Sequence, residues 1–342
     1  NKLEIAEVIK NRIEDGLPGK SSRPAKIHMS DILQKRVFRT IPVKNFQGKT
    51  KAFIKIQTGC DEKCSFCTVV RARGTSISDD RGNILNNIRG AVASGFKEIT
   101  LTGINLGTWG MDFSPKEAFS SLVRDIVNIP GDFRVRLSSI NPMEIDVDLL
   151  RLMADCEKVC PYLHIPLQSG DDSVLKNMRR NYDAGQYRDV VQRAVETIPR
   201  LGLGADIIVG FPGETDENFE RTRNMVETLP FSYLHVFSYS PRKGTEAYGF
   251  KDNLPKTVKK ERNRVLTELV KNKSEQFRKQ FLGQTVHVLI ENQRDRESGC
   301  LKGHTEHFIP VHLEGGDHLI NRIVPVMVTK ATDQQVSGCL LS

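Results

Sequence analysis

From residue 51 onward, short apolar runs of period two take turns with stretches whose apolar positions recur every three or four residues. "KAFIKIQ" (51–57) alternates and is β-branched, which predicts a strand. "GNILNNIRGAVASG" has helical spacing and closes on Gly95, and "KEITLTGINLG" is again strand-like. "PKEAFSSLVRDIVN" predicts a helix with Pro115 at its start. The alternation continues through strand "FRVRLSSINP", helix "DVDLLRLMADC", strand "YLHIPLQSG" and helical "DDSVLKNMRR" and "GQYRDVVQRAVETIPR". Strand "GLGADIIVGFPGE", helix "TDENFERTRNMVETL" and strand "YLHVFSYSP" complete it. Six strands separated by helices call for parallel βα units with right-handed crossovers, an α/β fold. The roughly 190 residues involved fall short of the ~250 of a full eight-fold barrel, so a partial (β/α)6 barrel is expected.

The flanks follow other rhythms. "LEIAEVIKNRIEDG" is helical up to Gly16, and the Pro/Ser/Lys-rich "LPGKSSRPAKIHMSD" after it reads as a linker. One helix and a tail cannot bury a core of their own. At 255–282 a long basic helix is expected, with Val258, Val265, Leu269, Phe277 and Phe281 as its apolar positions. Beyond Gly283, "TVHVLIEN", "HFIPVHLE" and "RIVPVMVTKA" are short alternating runs split by turns, which predict a small antiparallel β-barrel. Three segments are thus expected: 1–50, 51–282 and 283–342.

Composition adds bounds. The chain has 342 residues, 38% hydrophobic and 27% charged, ordinary for a globular protein with a sizeable core. No apolar run is long enough to span a membrane, and the cytoplasm is the expected compartment. The net charge of +8 is uneven. Residues 1–50 carry eleven Lys/Arg against five Asp/Glu, and 255–282 carry nine against three. Residues 283–342 carry five against seven, with five of the eight histidines. Basic segments attract phosphate backbones, so charge permits an RNA partner without establishing one.

The chemistry concentrates at "TGCDEKCSFCTVVRARG" (58–74), just past the first strand, where the loops of a βα fold gather ligands. Cys60, Cys64 and Cys67 lie on one tight loop with no fourth cysteine in reach. A structural zinc closes with a fourth Cys or His near a partner in sequence, and neither His28 nor His164 is beside the loop. A ferredoxin-type cluster would show its fourth cysteine in the same run. Three thiolates suit a four-iron cluster with one iron left open. The remaining cysteines, Cys156, Cys160, Cys300 and Cys339, lack a scaffold spacing and read as small buried residues. Glu214, in "GFPGET", reads as a cap of the following helix.

The spacing Cys-x3-Cys-x2-Cys, with Phe66 before the third cysteine, resembles the radical S-adenosylmethionine (SAM) enzymes. "LTGINLGTWG", "VRLSSINPMEI", "YLHIPLQSGDDSVLKNMRRNY", "DIIVGFPGET" and "LHVFSYSPRKGTEA" together resemble their methylthiotransferase branch. The last module looks like that branch's RNA-binding TRAM barrel. The resemblance implies a [4Fe-4S] cluster on Cys60, Cys64 and Cys67, its open iron chelated by SAM. It also implies cleavage of SAM to a 5′-deoxyadenosyl radical and a methylthio group placed on C2 of an adenine. Phe66, Gly103, Asn105, Ser139, Gln168 and Gly210 are then the expected SAM contacts, with Arg71 and Arg73 set to meet SAM or a substrate phosphate. The implied partners are a tRNA anticodon stem-loop and an electron donor such as a flavodoxin or ferredoxin, with no membrane. "TGINLGTWG", "SSINPMEI" and "LHVFSYS" look most like the enzyme acting on N6-threonylcarbamoyladenosine. An isopentenyladenosine tRNA, a ribosomal protein as substrate, or a non-enzymatic RNA-binding zinc protein are the alternatives. Family members hold a second [4Fe-4S] cluster on three cysteines of an N-terminal domain, and no cysteine precedes Cys60 here. The first helix resembles the end of that domain, so most of it is expected to be missing.

Overall fold

The computed structural model describes residues 5–14, 38, 50–252 and 254–341. The chain divides into two compact units, Asn1–Arg36 and Val37–Ser342. The first holds helix α1 (Ile5–Glu14), whose Ile5, Ile9 and Ile13 form an exposed stripe. The expected linker lies outside the described residues.

In the second unit β1 (Lys51–Lys55) leads into a two-stranded ribbon, β2 (Gln57–Thr58) and β3 (Ile77–Ser78). The ribbon brackets the cysteine loop and the short helix α2 (Val69–Arg73). There follow α3 (Arg81–Ala93), β4 (Glu98–Thr102), α4 (Phe119–Val127), β5 (Arg134–Leu137), α5 (Val147–Asp155) and β6 (Tyr162–His164). Then come α6 (Asp172–Asn177), α7 (Ala184–Thr197), β7 (Gly202–Val209), α8 (Asp216–Thr228), β8 (Tyr233–Ser238) and α9 (Lys256–Lys279). Parallel sheets β1-β4-β5 and β6-β7-β8 are joined by single bridges, Val135 to Val159 and Ser139 to His164. The six expected strands therefore form one open, barrel-like wall. Pro115 does not start a helix: it follows a cis peptide bond in the turn before α4, whose N-cap is Ala118.

Alternation along the strands divides the side chains between two faces. Ala52, Ile54, Ile99, Leu101, Val135, Leu137, Leu163, Leu203, Ala205 and Ile207 join the helices in one core. Each of the Val, Leu and Ile side chains among them contributes roughly 1.5–3 kcal/mol on burial. This outer layer carries the stability and leaves the inner face free to be polar. That inner face presents Lys51, Phe53, Glu98, Thr100, Arg134, Arg136, Tyr162, His164, Asp206, Tyr233, His235 and Phe237.

The last segment is a closed barrel of β9 (Thr285–Arg294), β10 (Leu301–Thr305), β11 (Pro310–Leu313), β12 (Ile323–Ala331) and β13 (Val336–Leu340). It is not wholly antiparallel, because β11 pairs with β13 in parallel. This barrel stoppers the N-terminal mouth of the larger one. Arg134 donates to the carbonyls of His287 and His304, each at 2.9 Å. Arg136 donates to those of Thr305 and Glu306 at 3.0 Å. Buried Glu98 sits between the two guanidiniums, at 2.7 Å from Arg134 and 3.0 Å from Arg136. Burial alone would raise its pKa, but Arg136 and Arg134 together hold the carboxyl well below the usual range. With this end closed, the C-terminal end of the strands is left for ligands.

Candidate functional site

The cysteine loop is fastened at both ends by the fold. Gly59 has φ +76°, and a Cβ there would lie 1.9 Å from the Thr75 carbonyl oxygen, so only glycine fits. The Cys60 amide then donates to the Gly74 carbonyl (3.1 Å). Gln57, fully buried, donates to Gly59 O (2.9 Å) and Ser76 Oγ (2.8 Å), and its Oε1 accepts from the amides of Ile104 and Asn105. One amide side chain thus links the cysteine loop to the loop after β4. In mid-loop, Ser65 donates through N and Oγ to the carbonyls of Met178 and Asn177. Phe66 packs edge-on against Phe211 (6.4 Å) beside Val174, Met178, Tyr239 and Ala247, so its ring anchors the loop.

The three thiols are half-buried. Arg180 donates to Cys64 Sγ at 3.1 Å and, through its other terminal nitrogen, to Asn141 Oδ1 at 2.8 Å. The Val69 amide donates to Cys67 Sγ at 3.4 Å. Burial pushes the Cys60 thiol up to about 11, and raises Cys64 as well in spite of Arg180. A cation beside Cys60 and Cys64 would favour their thiolate forms. Among the described residues, the one trio of His, Cys, Asp or Glu ligand atoms lying within 4.8 Å of one another is His164, Asp206 and His235. The three cysteine sulfurs do not all lie within that distance of one another. A single zinc, bound to sulfur at about 2.3 Å, would draw them closer. The donor set fits a larger, multi-iron group.

The expected SAM contacts divide. Asn105 is buried, with both polar atoms engaged: Nδ2 donates to Glu144 Oε1 (2.5 Å) and Oδ1 accepts from Asn141 (3.1 Å). Cys64, Arg180, Asn141, Asn105 and Glu144 form one chain of contacts. Burial pushes the Glu144 carboxyl up to about 7 against the hydrogen bonds from Asn105 and Asn141. A Cβ at Gly103 would meet Gln57 Oε1 at 3.0 Å, and one at Gly210 would meet Lys259 Cγ at 2.5 Å. Ser139 bridges to His164. Gln168, at φ +64°, donates through its amide to the Asp206 carbonyl. Arg71 is tied to the Gly244 carbonyl (2.7 Å).

Two other expectations are corrected. Glu214 does not cap α8, whose N-cap is Thr215; it accepts from the Gly210 amide and pairs with buried Arg262. Cys339 is exposed and Cys156 and Cys300 are half-buried, whereas Cys160 is buried as expected. Gln57, Asn141, Glu144 and Arg180 carry no spacing signal that sequence reasoning could weigh as a site.

Residues 54–226 match the model of the radical SAM superfamily. The chain belongs to that superfamily. Within it the chain falls among the methylthiotransferases. It is 35% identical to tRNA-2-methylthio-N(6)-dimethylallyladenosine synthase of Clostridium tetani, covering 89% of this chain and 67% of that one. It is 38% identical to threonylcarbamoyladenosine tRNA methylthiotransferase MtaB of Rickettsia prowazekii, over 84% and 67%. With the enzyme of that name from Thermotoga maritima the identity is 37%, over 86% and 67%. The radical SAM chain thus spans about two thirds of the length of these curated relatives. Superfamily membership brings with it a [4Fe-4S] cluster and SAM as cofactors.

Proposed function

We propose that the protein is a tRNA methylthiotransferase that adds a methylthio group to C2 of N6-threonylcarbamoyladenosine beside the anticodon. Cys60, Cys64 and Cys67 hold the cluster, and the place they leave open receives SAM. The observation that carries this reading is the three-thiol loop itself, fastened over the open end of a barrel whose other end is stoppered. When bound, the cluster and SAM supply one-electron chemistry able to take hydrogen from a carbon too weakly acidic for a base. The chain's own residues hold the site in place. Gln57 and Ser65 fix the loop, and Arg180 offsets thiolate charge at Cys64 while orienting Asn141. The Glu98 and Arg136 plug excludes water from below.

The resemblance of "TGINLGTWG", "SSINPMEI" and "LHVFSYS" favours threonylcarbamoyladenosine over dimethylallyladenosine. Mass spectrometry of tRNA nucleosides from cells lacking the gene tests the choice. Loss of the 2-methylthio form of the threonylcarbamoyl nucleoside alone supports it, and loss of the dimethylallyl form instead contradicts it.

A further inference from the structure

Below the cysteine loop, three neighbouring strands of the wall turn a joined set of polar side chains inward. Asp206 on β7 is registered against His235 on β8, and Gly204, two residues earlier, against His164 on β6. His164 Nε2 lies 3.1 Å and His235 Nδ1 3.2 Å from the same oxygen, Asp206 Oδ1. The outer ring nitrogens face hydroxyls: Tyr162 OH is 3.5 Å from His164 Nδ1, and Tyr233 OH contacts His235 Nε2. Each imidazole thus bridges the Asp206 carboxylate on one side and a tyrosine hydroxyl on the other. The second carboxylate oxygen, Oδ2, has no hydrogen-bond partner among the described residues.

Large rings on the same face are left uncovered. Phe237 is 52% exposed, Phe53 on the opposite edge 49% and Tyr233 37%. Aromatic surface turned into a lumen costs free energy until something flat covers it. The depth also suits such an occupant. Ile208, the next inward residue of β7, packs in the same cluster as Phe66, between Cys64 and Cys67. Two strand residues span about 6.6 Å, so Asp206 sits roughly one purine's width below the loop.

We propose that Asp206, oriented by His164 and His235, accepts an N–H of a purine nucleoside flipped out of RNA into the lumen, its base covering the Phe237 and Tyr233 rings. The proposal rests on the reading that the substrate is a tRNA adenosine. A base that undergoes chemistry must leave its stack, and exposed aromatic rings with an ionised acceptor are the groups that receive it.

The test uses the full-length, cluster-loaded enzyme and an anticodon stem-loop carrying the modified adenosine. Asp206→Asn keeps the shape and the acceptor for both imidazoles, but turns an amide donor toward the lumen in place of Oδ2. A lost hydrogen bond to a charged group is an effect of about ten- to a hundredfold. The KM for RNA is expected to rise at least tenfold, with kcat at saturating RNA changed less than threefold. The dissociation constant should rise in parallel. A stem-loop abasic at the target position should bind wild type and variant equally. An unchanged KM and dissociation constant for Asp206→Asn, in an enzyme that does modify the RNA, would overturn the role of Asp206 alone. A wild-type enzyme that cleaves SAM but never modifies the RNA would overturn the proposed substrate and this site with it. One equivalent of zinc or cobalt lost on His164→Ala and on His235→Ala would replace the nucleoside site by a metal site.

Discussion

Gly59 and Glu144 show how single residues set the site. Replacing Gly59 by Ala forces a side chain onto the Thr75 carbonyl at a positive φ, where an L residue is already strained. We expect Gly59→Ala to keep its far-UV circular dichroism and lose most of its iron after anaerobic reconstitution; full iron occupancy would contradict the loop geometry. Glu144 makes a prediction in pH. Its carboxyl titrates near 7 when folded, pushed up by burial, and near the ordinary carboxylate value when unfolded. Between those values the folded state binds the extra proton, so this stability is present below the unfolded pKa and is lost as pH rises through about 7. Glu144→Gln should therefore gain in melting temperature over wild type at pH 8, and show little gain at pH 4. Equal differences at both pH values would contradict the shift. The cysteine spacing was legible because its ligands are local in sequence. Gln57 and Arg180 were not, because their contacts with Asn105 and Cys64 span 48 and 116 residues.

Among the elements, α9 shows where periodicity misleads. The helix stands where its pattern put it, but its buried face is made of Lys259, Arg262, Leu266, Val270, Ser274, Phe277 and Arg278. Three basic residues point inward with partners: Lys259 on Asp252, Arg262 on Glu214 and Asp216, and Arg278 on the carbonyls of Thr332 and Asp333. Only part of the charge counted in the sequence is thus left for a phosphate backbone. Arg262→Ala, which strands a buried carboxylate, should cost about 3–5 kcal/mol in denaturant unfolding. Arg264→Ala, on the exposed face of the same helix, should leave the unfolding midpoint nearly unchanged. Equal costs would mean that the two faces are misassigned. Strands β10 and β13 escaped notice for a related reason. Their Gly303 and Gly338 weaken strand propensity, yet a Cβ at either would lie within 2.4 Å of a neighbouring strand's carbonyl oxygen. Here glycine marks close approach of two backbones and not a turn.

Across the whole molecule, the alternation of apolar runs was enough to give a six-stranded wall, because outward-facing residues repeat with period two. How the two barrels join was hidden. "RVRL" reads as an ordinary half-polar strand, and the carbonyls its arginines reach lie 153 to 170 residues away. Glu98 is the keystone of that junction. Glu98→Ala leaves two buried guanidiniums without their counter-ion and should lower stability by about 3–5 kcal/mol. It should also speed protease cleavage near residue 283, and an unchanged digestion rate would separate the plug from the anchoring of the small barrel.

The central claim is that three cysteines hold an open iron–sulfur cluster. The direct measurement is iron and acid-labile sulfide per chain after anaerobic reconstitution of this chain and of its Cys64→Ala variant. About four of each are expected in the first and far fewer in the second, since a thiolate ligand is removed. One bound zinc with no sulfide, unchanged by Cys64→Ala, would contradict it.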